Sequence, residues 1–287
     1  MSARNGPCVS VITPNFNMVR YLSETMESVL SNVRIGDEYF IIDGGSTDGS
    51  VDVIRKYESR LAGWISEPDC GYADALAKGF ARATGDILCW INAGDLLLPG
   101  ALDAARKAFA ETSADMIFGD DFYIDEEGKV IFLSRGQVTD LCTAMLYGGW
   151  TPLQDACFWT RDLYHRVEGI DPTLRHAADY DLFLRMALRG TCHYVPITFS
   201  SFRRHPGQKS IAGAPAYQAE RSAIRGRELA RRTEWAPARF LKMFWYGLMI
   251  RWRVRVQQQR WRRDDLVGHP ISELRCRQYW PIESGAG

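Results

Sequence analysis

The chain contains 287 residues, 46% of them hydrophobic and 24% charged, which is typical of globular proteins and excludes a wholly disordered chain. The length suits one large α/β domain with an appendage, or two modest domains. The formal net charge is zero, and no nucleic-acid partner is predicted. This total conceals an uneven distribution: residues 216–287 contain 15 Lys and Arg against 7 Asp and Glu, whereas residues 1–215 contain 20 against 28.

The seven cysteines favour a reducing compartment. Their number is odd and no two form a C-x-x-C pair, which disfavours a disulfide framework and a zinc site. Residues 1–7 contain no apolar run of the kind found in secretory signals, and no uncharged apolar stretch of about 18 residues occurs. We therefore expect a cytoplasmic protein without a spanning helix.

Three short apolar runs predict buried strands: Val9–Thr13, Tyr39–Ile42 and Ile87–Ile91. Amphipathic segments between and after them predict helices: Tyr21–Leu30, Val51–Tyr57, Tyr72–Ala83 and Ala101–Ala110. We expect an N-cap for the second helix among Ser46, Thr47 and Asp48. Alternation of strands and helices predicts an α/β fold with a doubly wound, mostly parallel sheet.

The pattern changes after residue 115. Shorter strands are predicted at Asp115–Gly119, Phe122–Ile124 and Val130–Leu133, and helices at 138–147, 161–168 and Asp179–Leu188. Ala212–Pro215 is interpreted as a linker, and the Arg- and Trp-rich remainder as helical. The predicted domains are therefore residues 1–215 and a basic extension of residues 216–287.

Polar and glycine-rich segments follow the first three predicted strands: Pro14–Asn17, Asp43–Gly49 and Asn92–Asp95. Ligands of open α/β sheets bind beyond the carboxyl ends of the strands, so the three segments predict one shared site. The acidic spacing of a calcium-binding loop, the G-K-[ST] of a phosphate-binding loop and the dinucleotide G-x-G-x-x-G are all missing.

Two aspartates at these strand ends are candidates for ligand binding. Asp43 suits the imino N–H of uracil or a similar base, with glycines that admit a planar ring, but an ordinary turn and helix cap explain the segment equally well. Asp95 suits Mg²⁺ or Mn²⁺ on a diphosphate leaving group, or a simple helix cap.

Further candidates lie in the second half of the chain. Asp179 and Asp181 open a predicted helix and face different directions, so one of them suits a general base, unless both only favour the helix dipole. His205 lies in the basic segment Arg203–Ser210, which suits anion or metal binding, or else a solvated loop.

Six segments resemble, in order and spacing, the family-2 glycosyltransferases with the GT-A fold, particularly bacterial enzymes of exopolysaccharide, colanic-acid-like and O-antigen synthesis. They are Val9–Asn17, Ile41–Ser50, Ser66–Gly71, Ala83–Gly100, Asp171–Arg185 and His205–Ser210, and the resemblance covers about residues 8–211. It implies a GT-A (Rossmann-like) sheet flanked by helices, and the predicted C-terminal helical extension follows this domain. It also implies an inverting enzyme that moves a sugar from a UDP- or GDP-sugar to a hydroxyl of a glycan or lipid-linked saccharide, in cell-surface polysaccharide biosynthesis.

The resemblance implies residue roles on the donor side. Pro14, Asn15 and Asp43 would hold the nucleoside, and Asp69 would lie near its base or ribose. Asn92 would line the same donor site.

It also implies roles in catalysis. Asp95 matches the end of the family's metal-binding segment and would hold Mn²⁺ or Mg²⁺ on the diphosphate. His205 would lie by the diphosphate or that metal. Asp179 would be the catalytic base, and Gln154 would lie near the acceptor.

The chain departs from the family pattern at four positions: Ala77, Asn92, Gly94 and Ala178. Because the three aspartates 43, 95 and 179 are all present, we interpret these departures as subfamily variation. A catalytically inactive nucleotide- or carbohydrate-binding homologue stays open. A sugar nucleotidyltransferase is disfavoured, since Pro14–Asn17 stands where such enzymes carry a glycine-rich basic loop.

The basic tail has two interpretations. Arg239–Arg263 combines a short apolar core with flanking Arg and Trp, as in helices that lie on anionic membranes, and a lipid-linked acceptor would explain such contact. The segment suits equally well a helix packed on the catalytic domain or on a second subunit of a homo-oligomer. A location at the inner face of the cell membrane follows only from the first interpretation.

Overall fold

A computed structural model describes residues 6–136, 140–148, 150–206, 208, 213–232, 241–249, 252 and 266–279. Within them a nine-stranded sheet is covered by helices on both faces. The strands are β1 (Val9–Asn15), β2 (Glu38–Asp43), β3 (Gly63–Ser66), β4 (Ile87–Trp90), β5 (Leu96–Leu97), β6 (Met116–Ile124), β7 (Val130–Ser134), β8 (Cys157–Thr160) and β9 (Cys192–Arg203). The α-helices are α1 (Val19–Leu30), α2 (Ser50–Tyr57), α3 (Tyr72–Phe80), α4 (Ala101–Thr112), α5 (Leu141–Gly148), α6 (Arg161–Arg166), α7 (Ala178–Arg189) and α8 (Ala214–Ala230), and residues 241–249 are also helical.

The sheet order is β3-β2-β1-β4-β8-β6-β9-β5, with β7 paired to β6. The pairings give β1, β2, β3, β4, β6 and β9 one direction and β5, β7 and β8 the opposite one. The predicted mostly parallel α/β sheet is therefore confirmed, with antiparallel pairings concentrated in its second half.

Alternation along the central strands explains the two helical layers. Val11 and Ile41 face the layer that contains α1, α2 and α4. Their neighbours Ile12 and Ile42 face the layer that contains α3, α5 and α7. Successive side chains of a strand point to opposite faces, so a strand covered on both sides needs apolar residues toward both layers, as these pairs provide.

The first three predicted strands and four predicted helices are all present, with small corrections. Pro14 does not end β1, because the strand continues to Asn15, which pairs with Asp43. The predicted side-chain N-cap of α2 is wrong: Gly49 occupies that position with φ +98°. Asp48 instead accepts hydrogen bonds from the backbone N–H groups of Val19 (2.8 Å) and Ser50 (3.0 Å).

The second half of the sheet differs more from expectation. The strands predicted at Asp115–Gly119 and Phe122–Ile124 form one strand, β6, whose pairing with β9 shifts register near Asp120. The longest strand, β9, was not predicted, because Pro196 and several Ser and Thr residues interrupt its apolar pattern. Its burial comes from its position between β6 and β5.

The described residues of the C-terminal part are helical in some segments and irregular in others. Helix α8 begins at Ala214, inside the segment interpreted as a linker. Residues 266–279 contain one short 3₁₀ turn (Ile271–Glu273) and return to the sheet through bridges from Pro270 to Lys129 and from Arg277 to Thr198. Most of the predicted interfacial segment 239–263, together with residues 137–139 and 209–212, lies outside the described residues. None of the described helices has the length and apolarity needed to cross a membrane.

Candidate active site

One large cleft, of about 1450 Å³, opens beside the carboxyl ends of β1, β2 and β4. Eight of the nine predicted site residues line it: Pro14, Asn15, Asp69, Asn92, Asp95, Gln154, Asp179 and His205. The ninth, Asp43, is buried behind the wall of the cleft, while its neighbours Gly44 and Gly45 line it. Segments that are far apart in the sequence therefore form one site.

The Asp43 carboxylate is bonded entirely to protein donors. It accepts hydrogen bonds from Asn15 Nδ2 (2.6 Å), Ser66 Oγ (2.6 Å), Ser46 Oγ (2.5 Å), and the backbone N–H groups of Ser46 (2.9 Å) and Gly45 (3.2 Å). Burial alone would raise the pKa of Asp43, but the hydrogen bonds from Ser46 and Ser66 outweigh it and lower the pKa. Asp43 therefore holds the cleft wall together as an anion.

Asn15 presents a spare acceptor at this wall. Its Nδ2 donates to Asp43 and to Ser46 Oγ (3.2 Å), whereas its buried Oδ1 has no hydrogen-bond partner among the described residues. A buried carbonyl oxygen without a donor costs free energy, which a ligand N–H would recover.

The Asp69 carboxylate lies so close to the Gly44 backbone that residue 44 has no room for a side chain. A Cβ atom added to Gly44 would lie 2.5 Å from Asp69 Oδ2. The other oxygen, Oδ1, accepts a hydrogen bond from the Gly71 backbone N–H (2.8 Å). The glycine thus lets the loop after β3 approach the loop after β2 and places the Asp69 carboxylate at the cleft.

Asn92, Gln154 and Asp95 form a hydrogen-bonded chain after β4. Asn92 Nδ2 donates to Asp95 Oδ2 (3.1 Å) and to Gln154 Oε1 (2.6 Å). Gln154 Nε2 donates to the Trp90 carbonyl (2.7 Å), and Asp95 Oδ1 accepts from the Arg203 backbone N–H (3.0 Å). These contacts fix the orientation of Asp95 in the cleft.

Gly94 explains one departure from the family pattern. Its φ of +115° is a conformation that an aspartate would adopt only with strain. Its N–H donates to Thr25 Oγ1 (2.9 Å), and its carbonyl accepts from Arg203 Nε (2.9 Å). The backbone of Gly94 therefore supports Asp95, at the position where the family that the chain resembles often carries an acid.

Arg203 has a structural role, although its sequence context predicts a basic loop. Its guanidinium is buried, and bonds the carbonyls of Gly94, Asp125 (3.2 Å) and Glu126 (3.0 Å) and the Glu24 carboxylate (2.5 Å). The interpretation of this segment as wholly solvated is therefore wrong at Arg203. The adjacent Arg204 is exposed.

Two further buried carboxylates, Asp121 and Asp155, lie near Asp95 and were missed. Burial, and then the charge of Asp155, raise the pKa values of Asp95 and Asp121 well above the usual range, and burial raises the pKa of Asp155 to about 6. Asp121 accepts a hydrogen bond from Ser200 Oγ (2.9 Å). The signal available in the sequence was an acid, Asp121, within a mostly apolar strand, and a second acid, Asp155, directly after Gln154.

The residues at Asp95 suit a metal ion that takes most of its ligands from the substrate. In the described part of the chain no three His, Cys, Asp or Glu side chains are arranged to hold a metal ion. Mg²⁺ and Mn²⁺ are commonly held by one or two protein groups together with phosphate oxygens and water. Asp95 and His205 both line the cleft, and burial lowers the pKa of His205, which favours the neutral, ligating imidazole.

Asp179 lies at the start of α7, and of the two acids in this turn it is the one that faces the cleft. Burial raises its pKa to about 6, against the stabilising N–H groups of Tyr180 and of Asp179 itself. Its Oδ1 has no hydrogen-bond partner among the described residues. Asp181 instead points away and forms ion pairs with Arg185 (2.6 Å) and Arg227 (2.8 Å). Of the two acids, only Asp179 therefore lines the cleft.

The sequence profile of glycosyl transferase family 2 matches residues 10–204. A glycosyltransferase of Mycobacterium tuberculosis, described as uncharacterized, is 32% identical over 198 residues, which are 67% of this chain and 73% of that protein. A chondroitin synthase of Pasteurella multocida is 25% identical over 191 residues, which are 63% of this chain and 19% of the synthase.

Two solved structures share the fold at low sequence identity. S. aureus TarS 1–349 in complex with UDP-GlcNAc has a TM-score of 0.63 at 14% identity, over 82% of this chain and 70% of that one. The mannosyltransferase PcManGT from Pyrobaculum calidifontis, in complex with GDP-Man and Mn²⁺, has a TM-score of 0.60 at 17% identity, over 88% of this chain and 74% of that one. The predicted GT-A-like fold is thereby confirmed.

Proposed function

The chain belongs to glycosyl transferase family 2, and from this membership we propose that it moves a sugar from a UDP- or GDP-sugar to a hydroxyl of a glycan or lipid-linked saccharide, with inversion at the anomeric carbon. The observation that carries the proposal is the single cleft that Asn15, Asp69, Asp95 and Asp179 line together. A nucleotide-sugar needs such a sequence of groups: acceptors for a nucleoside, a metal-binding carboxylate for the diphosphate and a base for the incoming hydroxyl.

The nucleoside is proposed to bind at the ends of β1 and β2. Asn15 Oδ1 is buried and has no hydrogen-bond partner in the described part of the chain, so it suits a base N–H; the partly exposed Asp69 carboxylate suits a base edge or ribose hydroxyls. Asp43 lies behind the cleft wall and is proposed to act indirectly, by holding Asn15 in place, since its carboxylate is already bonded to five protein donors. Pro14 lines the cleft beside Asn15.

Asp95 and His205 are proposed to hold Mn²⁺ or Mg²⁺ on the donor diphosphate. Such an ion acts as a Lewis acid that neutralises charge on the leaving group. The solved mannosyltransferase with GDP-Man and Mn²⁺ supports this choice of ion. Asn92 and Gln154 orient the Asp95 carboxylate, and Gln154 also lines the cleft where an acceptor would enter.

Asp179 is proposed as the general base that removes the proton of the acceptor hydroxyl. A carboxylate with a pKa of about 6 is ionised at neutral pH yet more basic than an exposed aspartate, as this role requires. Direct attack by the activated hydroxyl on the anomeric carbon displaces the nucleoside diphosphate and inverts the configuration. Similarity to a chondroitin synthase supports polysaccharide synthesis as the setting.

Donor turnover separates this proposal from its alternatives. The purified chain is incubated with UDP- and GDP-sugars, with and without Mn²⁺, and released UDP or GDP is measured. Slow, metal-dependent release is expected, and Asp179→Asn should bind donor but lose transfer. Binding without release would favour an inactive binding homologue, and release of pyrophosphate from a nucleoside triphosphate and a sugar phosphate would favour a nucleotidyltransferase.

We also propose that the basic extension contacts an anionic membrane, at the inner face of the cell membrane, where a lipid-linked acceptor resides. In the helical residues 241–249, Phe244 and Trp245 are 56% and 63% exposed, whereas Met243 and Tyr246 pack on the core. Six arginines follow between residues 251 and 263. An exposed aromatic face next to cationic side chains is typical of interfacial helices.

Flotation of the full chain with vesicles tests this contact. The wild type should float with phosphatidylglycerol vesicles and not with phosphatidylcholine vesicles, and the double variant Phe244→Glu/Trp245→Glu should lose flotation. If neither protein floats, membrane contact is contradicted, and equal flotation of both would contradict contact through Phe244 and Trp245. Loss of a homo-oligomer in the variant, measured by light scattering, would assign the face to a second subunit instead.

A further inference from the structure

Helix α7, which carries Asp179, lacks a cap of its own. Ala177 occupies its N-cap position and has no side chain that accepts a hydrogen bond. Glu220 of α8 instead holds the residues that lead into the helix: its carboxylate accepts from the backbone N–H groups of Arg175 (3.1 Å), His176 (2.8 Å) and Ala177 (2.5 Å). Burial opposes the ionised form of Glu220, but these three bonds outweigh it and lower its pKa.

Two tyrosines complete the surroundings of the base. The Tyr217 hydroxyl of α8 donates to Asp179 Oδ2 at 3.4 Å, and Tyr217 also lines the cleft. The Tyr72 hydroxyl of α3 accepts from the Ala178 backbone N–H (2.8 Å) and donates to the His176 carbonyl (2.9 Å). The first turn of α7 is thus held from two other helices.

Helix α8 is anchored independently of these contacts. Ile224 and Leu229 are buried in the same apolar cluster as α7, and Arg227 pairs with Asp181 at 2.8 Å. Because these anchors lie about two to three turns beyond Tyr217 and at least one turn beyond Glu220, a conservative change at either residue should leave α8 in place.

We propose that α8 belongs to the catalytic apparatus, with Glu220 and Tyr217 as positioning residues for Asp179. Glu220 fixes the turn that presents the base, and the Tyr217 hydroxyl orients its carboxylate and stabilises the ionised form. The inference rests on the proposed function of Asp179. It also means that the boundary drawn at residue 215 does not separate catalysis from the extension, since the first turns of α8 complete the site.

The sign of the Tyr217 effect follows from its role as a donor. A hydrogen bond to the charged form lowers the pKa of a carboxylate, so its removal should raise the pKa of Asp179. Among the described residues, the other titratable groups that face Asp179 are Tyr72 from α3, Arg221 from α8 and Cys157 from β8. Arg221 stays in place in a Tyr217→Phe variant and cannot cause the difference.

The experiment compares Tyr217→Phe and Glu220→Gln with Tyr57→Phe. The control removes the hydroxyl of Tyr57 on α2, which is hydrogen-bonded to Ser23 on α1 and does not line the cleft. The pH profile of kcat/KM, the kcat and KM for donor, calorimetric binding of UDP and GDP with Mn²⁺, and thermal unfolding are measured for the full chain.

In Tyr217→Phe, the acidic limb of the profile should move up by about half a pH unit, the size expected for one long hydrogen bond to an ionised group. In Glu220→Gln, kcat should fall about tenfold while donor binding changes less than about twofold, as for a misplaced base. Profiles and kcat that match Tyr57→Phe in both variants would overturn the inference.

Asp179→Asn separates the two levels of the argument. If Asp179→Asn loses transfer while Tyr217→Phe and Glu220→Gln behave as the control, the proposed base survives and only the positioning role fails. If Asp179→Asn keeps full turnover, both the base and its positioning residues are refuted.

Discussion

Gly44→Ala tests the close approach of two loops on which the proposed nucleoside site depends. The added Cβ would lie 2.5 Å from Asp69 Oδ2 and 3.0 Å from its Cγ, whereas an ordinary contact needs about 3.4 Å. The Gly44 backbone φ is not in the left-handed region, so a Cβ adds crowding without backbone strain. The Asp69 carboxylate must therefore retreat by roughly 0.9 Å or rotate away.

The expected cost falls on binding more than on stability. Asp69 is partly exposed, so its carboxylate can turn to water once its bond to the Gly71 N–H is lost. We expect a loss of about 1 kcal/mol in the free energy of unfolding. Donor affinity should fall about tenfold, equivalent to ~1.4 kcal/mol, because the displaced carboxylate no longer faces the ligand.

Calorimetric titration with UDP and GDP and urea denaturation measure the two effects. Gly226→Ala is the matched control, since no atom lies within 4 Å of its added Cβ; it should leave donor binding unchanged and stabilise α8 by about 0.5–1 kcal/mol. In an Asp69→Ala background, Gly44→Ala should cost no further affinity. Full donor affinity in both Gly44→Ala and Asp69→Ala would refute the reasoning.

The remaining predictions concern the base, the metal and the buried arginine. Asp179→Asn should lower kcat by about 10²–10⁴-fold with unchanged donor affinity. In the wild type, kcat/KM should fall tenfold for each pH unit below a pH of about 6, because only the ionised carboxylate accepts a proton. An acidic limb without this fall would contradict the role of Asp179. Chelation with EDTA should abolish release of UDP or GDP and added Mn²⁺ should restore it, whereas undiminished release would exclude the metal at Asp95. Arg203→Met should lower the free energy of unfolding by about 3–5 kcal/mol in urea denaturation, since the buried oxygens that Arg203 bonds would lose their donor. Its exposed neighbour Arg204 provides the control, and equal stability of Arg203→Met and Arg204→Met would contradict the structural role.

The sequence predicted the first half of the fold and the position of the cleft. Buried parallel strands must be apolar along their length, so the polar residues after Thr13, Ile42 and Ile91 marked the ends of neighbouring strands. Family resemblance then added Asp179, which no local pattern distinguishes from Asp181. The structure separates the two, because one faces the cleft and the other pairs with arginines.

The sequence could not predict features that depend on tertiary contacts. Strand β9 is buried because of its neighbours, although its own residues are mixed. Arg203 bonds backbone carbonyls, which carry no signal in the sequence. Asp43 was expected to face the base, but its donors come from three separate segments that meet only in the folded chain. The segment that leads into α7 is held by Glu220, 43 residues beyond Ala177.

A crystal structure of the Asp179→Asn variant with Mn²⁺ and the UDP- or GDP-sugar that binds best tests the central claim most directly. The account predicts a nucleoside within hydrogen-bonding distance of Asn15 and Asp69, a metal held by Asp95 on the diphosphate, and an anomeric carbon that faces residue 179. A nucleotide bound outside this cleft, or a diphosphate far from Asp95, would contradict it.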